Sequence, residues 1–177
     1  MKNLSKCHWG AFAIDEIFPG NERGKRLVVP ERIEGVTPLI TAGEVDNGVS
    51  AFIANPEQKE YGDSITLDMF ANVFYHPYKF NCDDNITVLS NKECSKYAYL
   101  FIVVALRMLR GKYSYAYQVR PNRLSKDKIM LPVGKNNKPD YAFMDQYMRA
   151  QERKLLAQYK SRIDKLLKVD VLTGGGV

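Results

Sequence analysis

Seven basic residues fall between Arg107 and Lys128, namely Arg107, Arg110, Lys112, Arg120, Arg123, Lys126 and Lys128, against the single acid Asp127. Their net +6 equals the formal charge of the whole 177-residue chain, so the remainder is neutral on balance. Tyr113, Tyr115 and Tyr117 alternate with small residues inside this stretch. Guanidinium and ammonium groups beside flat, hydrogen-bonding rings suit phosphates and exposed bases, so a polyanion is the first partner to consider. The same residues also fit a solvated connection whose lysines keep the protein dissolved and whose tyrosines pack inward. Composition leaves both readings open.

Other chemistry is sparse. His8 and His76 are the two histidines, and neither has a metal-ligand spacing or a nucleophile motif beside it. No Gly-rich phosphate loop follows a strand, and the cofactor glycines and Asn/Asp-Pro-Pro-aromatic tetrapeptide of amino methyltransferases are missing. No cofactor, metal or catalytic residue is therefore expected. One pattern imitates a metal-dependent nuclease: Pro139-Asp140, then eleven residues, then Glu152-Arg153-Lys154. Such enzymes need these groups to converge on one cation. Here they lie along one predicted helix, about 18 Å apart by its rise per residue, and cannot share an ion within one chain. Cys7, Cys82 and Cys94 form an odd set without CxxC spacing, which predicts free thiols in a reducing compartment. The most apolar run, from Tyr97 to Leu109, is shorter than the roughly 20 residues of a membrane-spanning helix. The segment Met1 to Trp9 is polar, with no apolar run behind it to serve as a signal peptide, so the expected location is the cytoplasm.

The elements that would position the basic stretch read as an α+β fold. From Trp9 to Leu89 short β-rich pieces (Phe12 to Phe18, Pro38 to Thr41, Val49 to Ile53, Ile65 to Leu67, Val73 to Tyr75, Ile86 to Leu89) alternate with turn chemistry. This predicts a small, twisted, mostly antiparallel sheet, with Asp46-Asn47-Gly48 as its best hairpin turn. Ser90-Asn91-Lys92-Glu93 fits a capping box, and Gly111 suits a helix end, predicting a buried helix from about Lys92 to Arg110. Arg107 and Arg110 would then sit in its last turn and complement its dipole. A strand from Ile129 to Val133 and a polar turn follow. Pro139-Asp140 opens a helix to about Lys168, on the order of 40 Å long. Along it Met144, Met148, Leu155, Tyr159, Ile163 and Leu166 form a helical seam that either folds back on the protein's own sheet or pairs with a matching helix as a coiled coil, and a helix this long favours the second. The expected division is residues 1–138 as a globular domain, 139–168 as a long helix, and 169–177 as a flexible tail.

The order of these segments resembles the target-recognition domain of specificity (S) subunits in type I restriction-modification systems and related fused type II enzymes. Trp9, Phe12, Ile14, Glu16-Ile17-Phe18 and Gly24-Lys25 look like its opening. Pro38-Leu39-Ile40-Thr41 and Asn47-Gly48-Val49 look like the next block, and Ile65-Thr66-Leu67, Phe74-Tyr75 and Val88-Leu89 continue it. Ile129 to Pro132 and Pro139-Asp140 lead into Met144 and Tyr147 at the close. Pro19 and the segment from Glu31 to Glu34 depart from the pattern. So does the architecture: such subunits typically carry two domains, each followed by a long helix, and the helices pair. One domain and one helix imply a half-subunit, a truncation, or a member that doubles through the Met144 to Leu166 seam and reads a palindromic bipartite site.

The resemblance implies a non-catalytic reader of double-stranded DNA that positions a separate adenine methyltransferase and, through it, a nuclease. Lys112, Arg120, Arg123, Lys126 and Lys128 would contact phosphates, with one arginine forking onto guanine. Tyr113, Tyr115, Tyr117, Thr41, Asn47 and Lys79 are candidates for base edges or nearby backbone. An alternative of a different class is a protein interaction module that docks through its long helix and meets an acidic surface with its basic stretch.

Overall fold

In the computed structural model, residues 3–55 and 57–173 are described, with side chains described as far as Leu167. Strand β1 (Trp9–Ala13) pairs antiparallel with β9 (Lys128–Pro132), joining the two ends of the globular part. The expected strand from Phe12 to Phe18 stops at Ala13, because Ile14–Ile17 turns into the short helix α1. The Glu16 carboxylate accepts from Ala13 N at 3.0 Å and starts that helix, while Ile14, Ile17 and Phe18 go fully into the core.

A second sheet orders β2 (Glu22–Arg23), β8 (Thr87–Leu89), β5 (Ser64–Leu67) and β6 (Val73–His76), all antiparallel. A third places β3 (Glu34–Ile40) between β4 (Val49–Ile53) and β7 (Asn81–Cys82), with β3 and β7 parallel. The antiparallel pairing is thus spread over three small sheets. Each is short because Gly, Asn and Asp turns interrupt the apolar runs every few residues. The β3–β4 connection ends in the expected turn, where Asp46, Asn47 and Gly48 take φ of 49°, 54° and 80°. Those left-handed values are what Asn and Gly tolerate and branched residues do not.

Helix α2 (Lys96–Leu106) is shorter than its sequence suggested at both ends. Ser95 caps it in place of Ser90, its Oγ accepting from Ala98 N at 3.2 Å, and Asn91 Oδ1 accepts from Glu93 N at 2.8 Å in a preceding turn. Beyond Leu106 the chain tightens into a 3-10 stretch, Arg107–Lys112. Tyr99, Ile102 and Leu106 bury fully against Phe18, Leu67, Val73 and Leu89 in the main core. A short helix, α3 (Pro121–Leu124), leads into β9.

Helix α4 (Tyr141–Thr173) is about 50 Å long at the standard rise, and its backbone continues past the expected end near Lys168. Asp140 starts it, its Oδ1 accepting from Phe143 N at 2.8 Å. The first turns lie on α2: Met144 is fully buried, Met148 is half-buried on the same core, and Tyr147 packs edge-on against Phe101. A polar clamp fixes the contact. Ser95 Oγ donates to Asp145 Oδ1 at 2.5 Å, Arg149 pairs with Asp145 and covers the Tyr97 ring, and Tyr97 OH donates to Glu152 at 2.6 Å. From Glu152 to Leu167 every residue is exposed. The expected Met144 to Leu166 seam therefore divides. Met144 and Met148 belong to the protein's own core, because the packing groove of α2 ends there, whereas Leu155, Tyr159, Ile163 and Leu166 have nothing packed on them among the described residues. Leu156 and Leu167 are exposed beside them. The tail from Gly174 to Val177 lies outside the described residues.

Candidate functional site

Strand register brings distant loops to one end of the sheets. Thr87 faces both Arg23 and Leu67, Leu67 faces Val73, and Ile40 faces Cys82. The segments that follow or precede these positions, 23–32, 41–48, 68–72 and 83–85, therefore emerge together. The segment 117–120 joins them through Val119 N donating to Met69 O at 2.9 Å.

Two buried or half-buried carboxylates hold this end in shape. Asp68 is buried, and its oxygens accept from Phe70 N (2.8 Å), Asn72 N (2.9 Å), Asn72 Nδ2 (2.7 Å) and Gly43 N (3.2 Å). One side chain so ties the 68–72 turn to the loop after β3, and a fully satisfied buried carboxylate of this kind rigidifies what it bridges. Asp83 Oδ1 accepts from Leu27 N at 3.2 Å and Asp84 N at 2.9 Å, pinning the loop after β2. Gly24 permits that contact. A Cβ there would lie 2.1 Å from Cys82 O and 2.4 Å from Asp83 O, closer than any side chain can approach backbone.

Between these loops an open cleft of about 450 Å³ is lined by Arg23, Arg26, Arg32 and Arg120, with Asp83, Asp84, Asn85 and Gln118 among them and Val28, Val29 and Met69 on its walls. None of the four arginines makes an ion pair among the described residues. Arg120 donates to Gln118 Oε1 at 2.7 Å. Arg32 Nε and Asn85 Oδ1 are buried without a hydrogen-bond partner among the described residues. Three of these arginines do not stand out by charge in the sequence, since Glu22, Glu31 and Glu34 interleave with them and, with Lys25 counted, leave a local sum of only +1.

The basic, tyrosine-rich stretch is differently used. Tyr113 is buried, its hydroxyl donating to the buried Asp127 carboxylate, which also pairs with Lys112. Burial and the Asp127 hydrogen bond push the Tyr113 hydroxyl well above its ordinary range, so it stays protonated. Tyr117 stacks on Tyr113, and the Arg123 guanidinium covers the Tyr117 ring at 4.4 Å while donating to Gln118 O. Tyr115 is 84% exposed. Arg107 donates to Val73 O, and Arg110 pairs with Glu44 in the loop after β3. Lys126 and Lys128 are exposed and without an ion pair among the described residues.

Of the remaining candidates, Thr41 is half-buried at the start of the β3–β4 loop and Asn47 is exposed at its turn, both on the loop-bearing end. Lys79 is not. It follows β6, whose His76 faces Ser64, at the opposite end of the hairpin from Asp68, and it pairs with Glu60. That far end is a folding feature: His76 is fully buried, its Nε2 shares a hydrogen bond with Thr66 Oγ1 at 2.9 Å and its Nδ1 with Tyr78 OH at 3.1 Å. Desolvation lowers its pKa to about 4. The residues of the nuclease-like pattern are separately occupied, Asp140 capping α4 and Glu152 accepting from Tyr97. Among the described residues no three His, Cys, Asp or Glu side chains converge as a metal cluster. No helix among them is long and apolar enough to cross a membrane.

Comparison with known proteins follows the same outline. The chain is 32% identical over 163 residues to the specificity subunit S.BcgI of a type II restriction enzyme from Heyndrickxia coagulans, covering 89% of this chain and 48% of that protein. Its fold is similar to that of the S subunit of a type I restriction-modification system from M. genitalium, with a TM-score of 0.58 at 21% identity, covering 94% of this chain and 44% of the other. The HsdS subunit from Thermoanaerobacter tengcongensis gives a TM-score of 0.58 at 13% identity, over 90% of this chain and 41% of that one. The chain thus spans about half the length of the relatives it matches. The model of the type I restriction modification DNA specificity domain matches residues 7–160, and the chain belongs to that family.

Proposed function

We propose that this chain recognises a specific sequence in double-stranded DNA as one half of a restriction-modification specificity component, carries no catalytic step itself, and positions a separate adenine methyltransferase and, through it, a nuclease. Two copies pair through the exposed part of α4 and read a palindromic, gapped site in the cytoplasm. The observation that carries this reading is the split of α4. Its first turns are locked onto the domain by the Ser95–Asp145–Arg149 clamp, so the segment from Glu152 to Leu167 projects in a fixed direction with Leu155, Tyr159, Ile163 and Leu166 on one line. An apolar stripe on a rigid projecting helix calls for a matching helix, and a second copy supplies one under two-fold symmetry. Helix pairing then fixes the separation of two loop-bearing ends, which is what a bipartite DNA site requires.

At that end Thr41, Asn47, Arg120 and Arg123 face the DNA, and Lys112, Lys126 and Lys128 with Tyr115 serve its backbone. The test couples mass and selection. Size-exclusion chromatography with light scattering should give a dimer, and Leu155→Asp with Ile163→Asp should give a folded monomer. Selection from randomised duplex oligonucleotides should enrich a gapped palindrome with the native chain and only a half-site, weakly, with the monomer. A native chain that enriches no sequence would instead support an interaction module docking through α4.

A further inference from the structure

We infer that the arginine-lined cleft between the loops 23–32 and 117–120 reads base edges directly and that its target contains a guanine; this rests on the DNA-recognition reading above. The cleft joins guanidinium groups from two parts of the sequence that share no motif: Arg23 at the end of β2 with Arg26 and Arg32 from the loop after it, and Arg120 from the start of α3. A guanidinium offers a planar fork of donors that matches guanine O6 and N7, and it matches phosphate oxygens equally well. The acids in the cleft decide between the two. A phosphate clamp excludes carboxylates, because like charges at close range oppose binding, whereas the amino groups of cytosine and adenine are donors that a carboxylate or amide oxygen accepts.

Here Asp84 lines the cleft beside the arginines, with no hydrogen bond or ion pair on its carboxylate among the described residues. Asn85 stands next to it with its amide oxygen unpartnered, and Gln118 closes the other side. Val28, Val29 and Met69 add the apolar surface that a thymine methyl group contacts. Donors, acceptors and apolar wall together match the mixed pattern of the major groove rather than the uniform charge of the backbone. The geometry is also set in advance. The Asp83 carboxylate and the close backbone approach at Gly24 fix the arginine loop against residues 83–85 before any ligand arrives.

The test uses the native 177-residue chain and the single variants Arg23→Lys, Arg26→Lys, Arg32→Lys, Arg120→Lys and Asp84→Asn, with Lys126→Ala/Lys128→Ala as the contrasting pair. Each is assayed by selection from randomised duplexes, then by binding to the selected duplex and to its single-base-pair substitutions across a salt series. Lysine keeps the charge and loses the fork, so at least one Arg→Lys variant should keep the salt slope yet lose its preference at one G·C pair by about 5- to 150-fold. The Lys126/Lys128 pair should weaken all sequences alike and leave the preferences unchanged. If the native chain selects a motif whose G·C preferences survive all four lysine replacements, or a motif with no G·C pair, the cleft is not the guanine reader while DNA recognition itself stands. If the native chain selects nothing, both readings fall.

Discussion

From Arg107 to Lys128 the cations largely serve the protein: Lys112 pairs with the buried Asp127, Arg110 with Glu44, Arg107 bonds Val73 O, and Arg123 lies over Tyr117. Around the cleft the four arginines face no carboxylate within ion-pair distance among the described residues, although Asp83 and Asp84 line the same space. The region that is most basic in sequence is thus the better neutralised in space. A run of like charges has to be tolerated by the fold, and here Arg110 and Lys112 are paired, Arg107 is hydrogen-bonded to backbone and Arg123 lies over a ring. Charges that alternate with acids in sequence need no such compensation locally, and the backbone is free to turn them toward one opening.

That contrast can be broken most decisively at Asp127. Its removal strips a buried acceptor from Tyr113 and an ion partner from Lys112, and Asp127→Ala should cost about 3 kcal/mol in denaturant unfolding. Asp84→Ala in the cleft should cost less than about 0.5 kcal/mol. Similar losses would show that both regions are structural. The far end of the sheet supplies a reference for a group committed wholly to folding. His76 is held neutral with a pKa of about 4 against an ordinary 6.5, so the unfolded chain binds more protons between those values. Stability contributed by this site should therefore fall as pH drops from about 6.5 to about 4 and stay level below, a change of about 3 kcal/mol. The difference in pH dependence between the native chain and His76→Gln isolates it from the carboxylates.

Within the tyrosine stretch, Tyr113→Phe should lose about 1 kcal/mol with its Asp127 hydrogen bond, whereas Tyr115→Phe should leave stability unchanged and act, if at all, on DNA affinity. A thermal scan of the two variants separates an inward ring from an outward one. The smallest effect belongs to Lys126 and Lys128. Replacing both with alanine should leave folding untouched and flatten the slope of log K against log salt by about 2, as two lost phosphate contacts require.

Much of the scaffold was legible in the sequence. The left-handed turn at Asn47-Gly48, the buried helix over Tyr97 to Leu106, and the long helix opening at Pro139-Asp140 each carry local chemistry that leaves few alternatives. Boundaries were less so. The capping box at Ser90 is not used: Ser95 caps α2 instead, and its hydroxyl also reaches Asp145 on α4, fifty residues away. The seam on α4 was legible as a period but not as two roles, since periodicity marks an apolar face without saying what covers it. Met144 and Leu155 look alike in sequence; one is buried by α2 and the other is 53% exposed. The candidate site was the least legible part. The resemblance names Lys79 beside Thr41 and Asn47, yet β6 carries it to the opposite end of its hairpin.

The sequence by itself determined which residues alternate, cap, turn and carry charge, because those properties act over a few neighbours along the chain. It sufficed for the α+β class, the order of elements and the family. Tertiary structure decided which charges remain free. That depends on strand register, on Asp68 and Asp83 bridging loops far apart in the chain, and on Gly24 letting one backbone press against another. Coulomb interaction falls with distance in space and takes no account of distance in sequence. Asp127 therefore takes Lys112 and Tyr113 out of the conspicuous stretch, while Arg120 of that stretch meets Arg23, Arg26 and Arg32 only once the chain is folded.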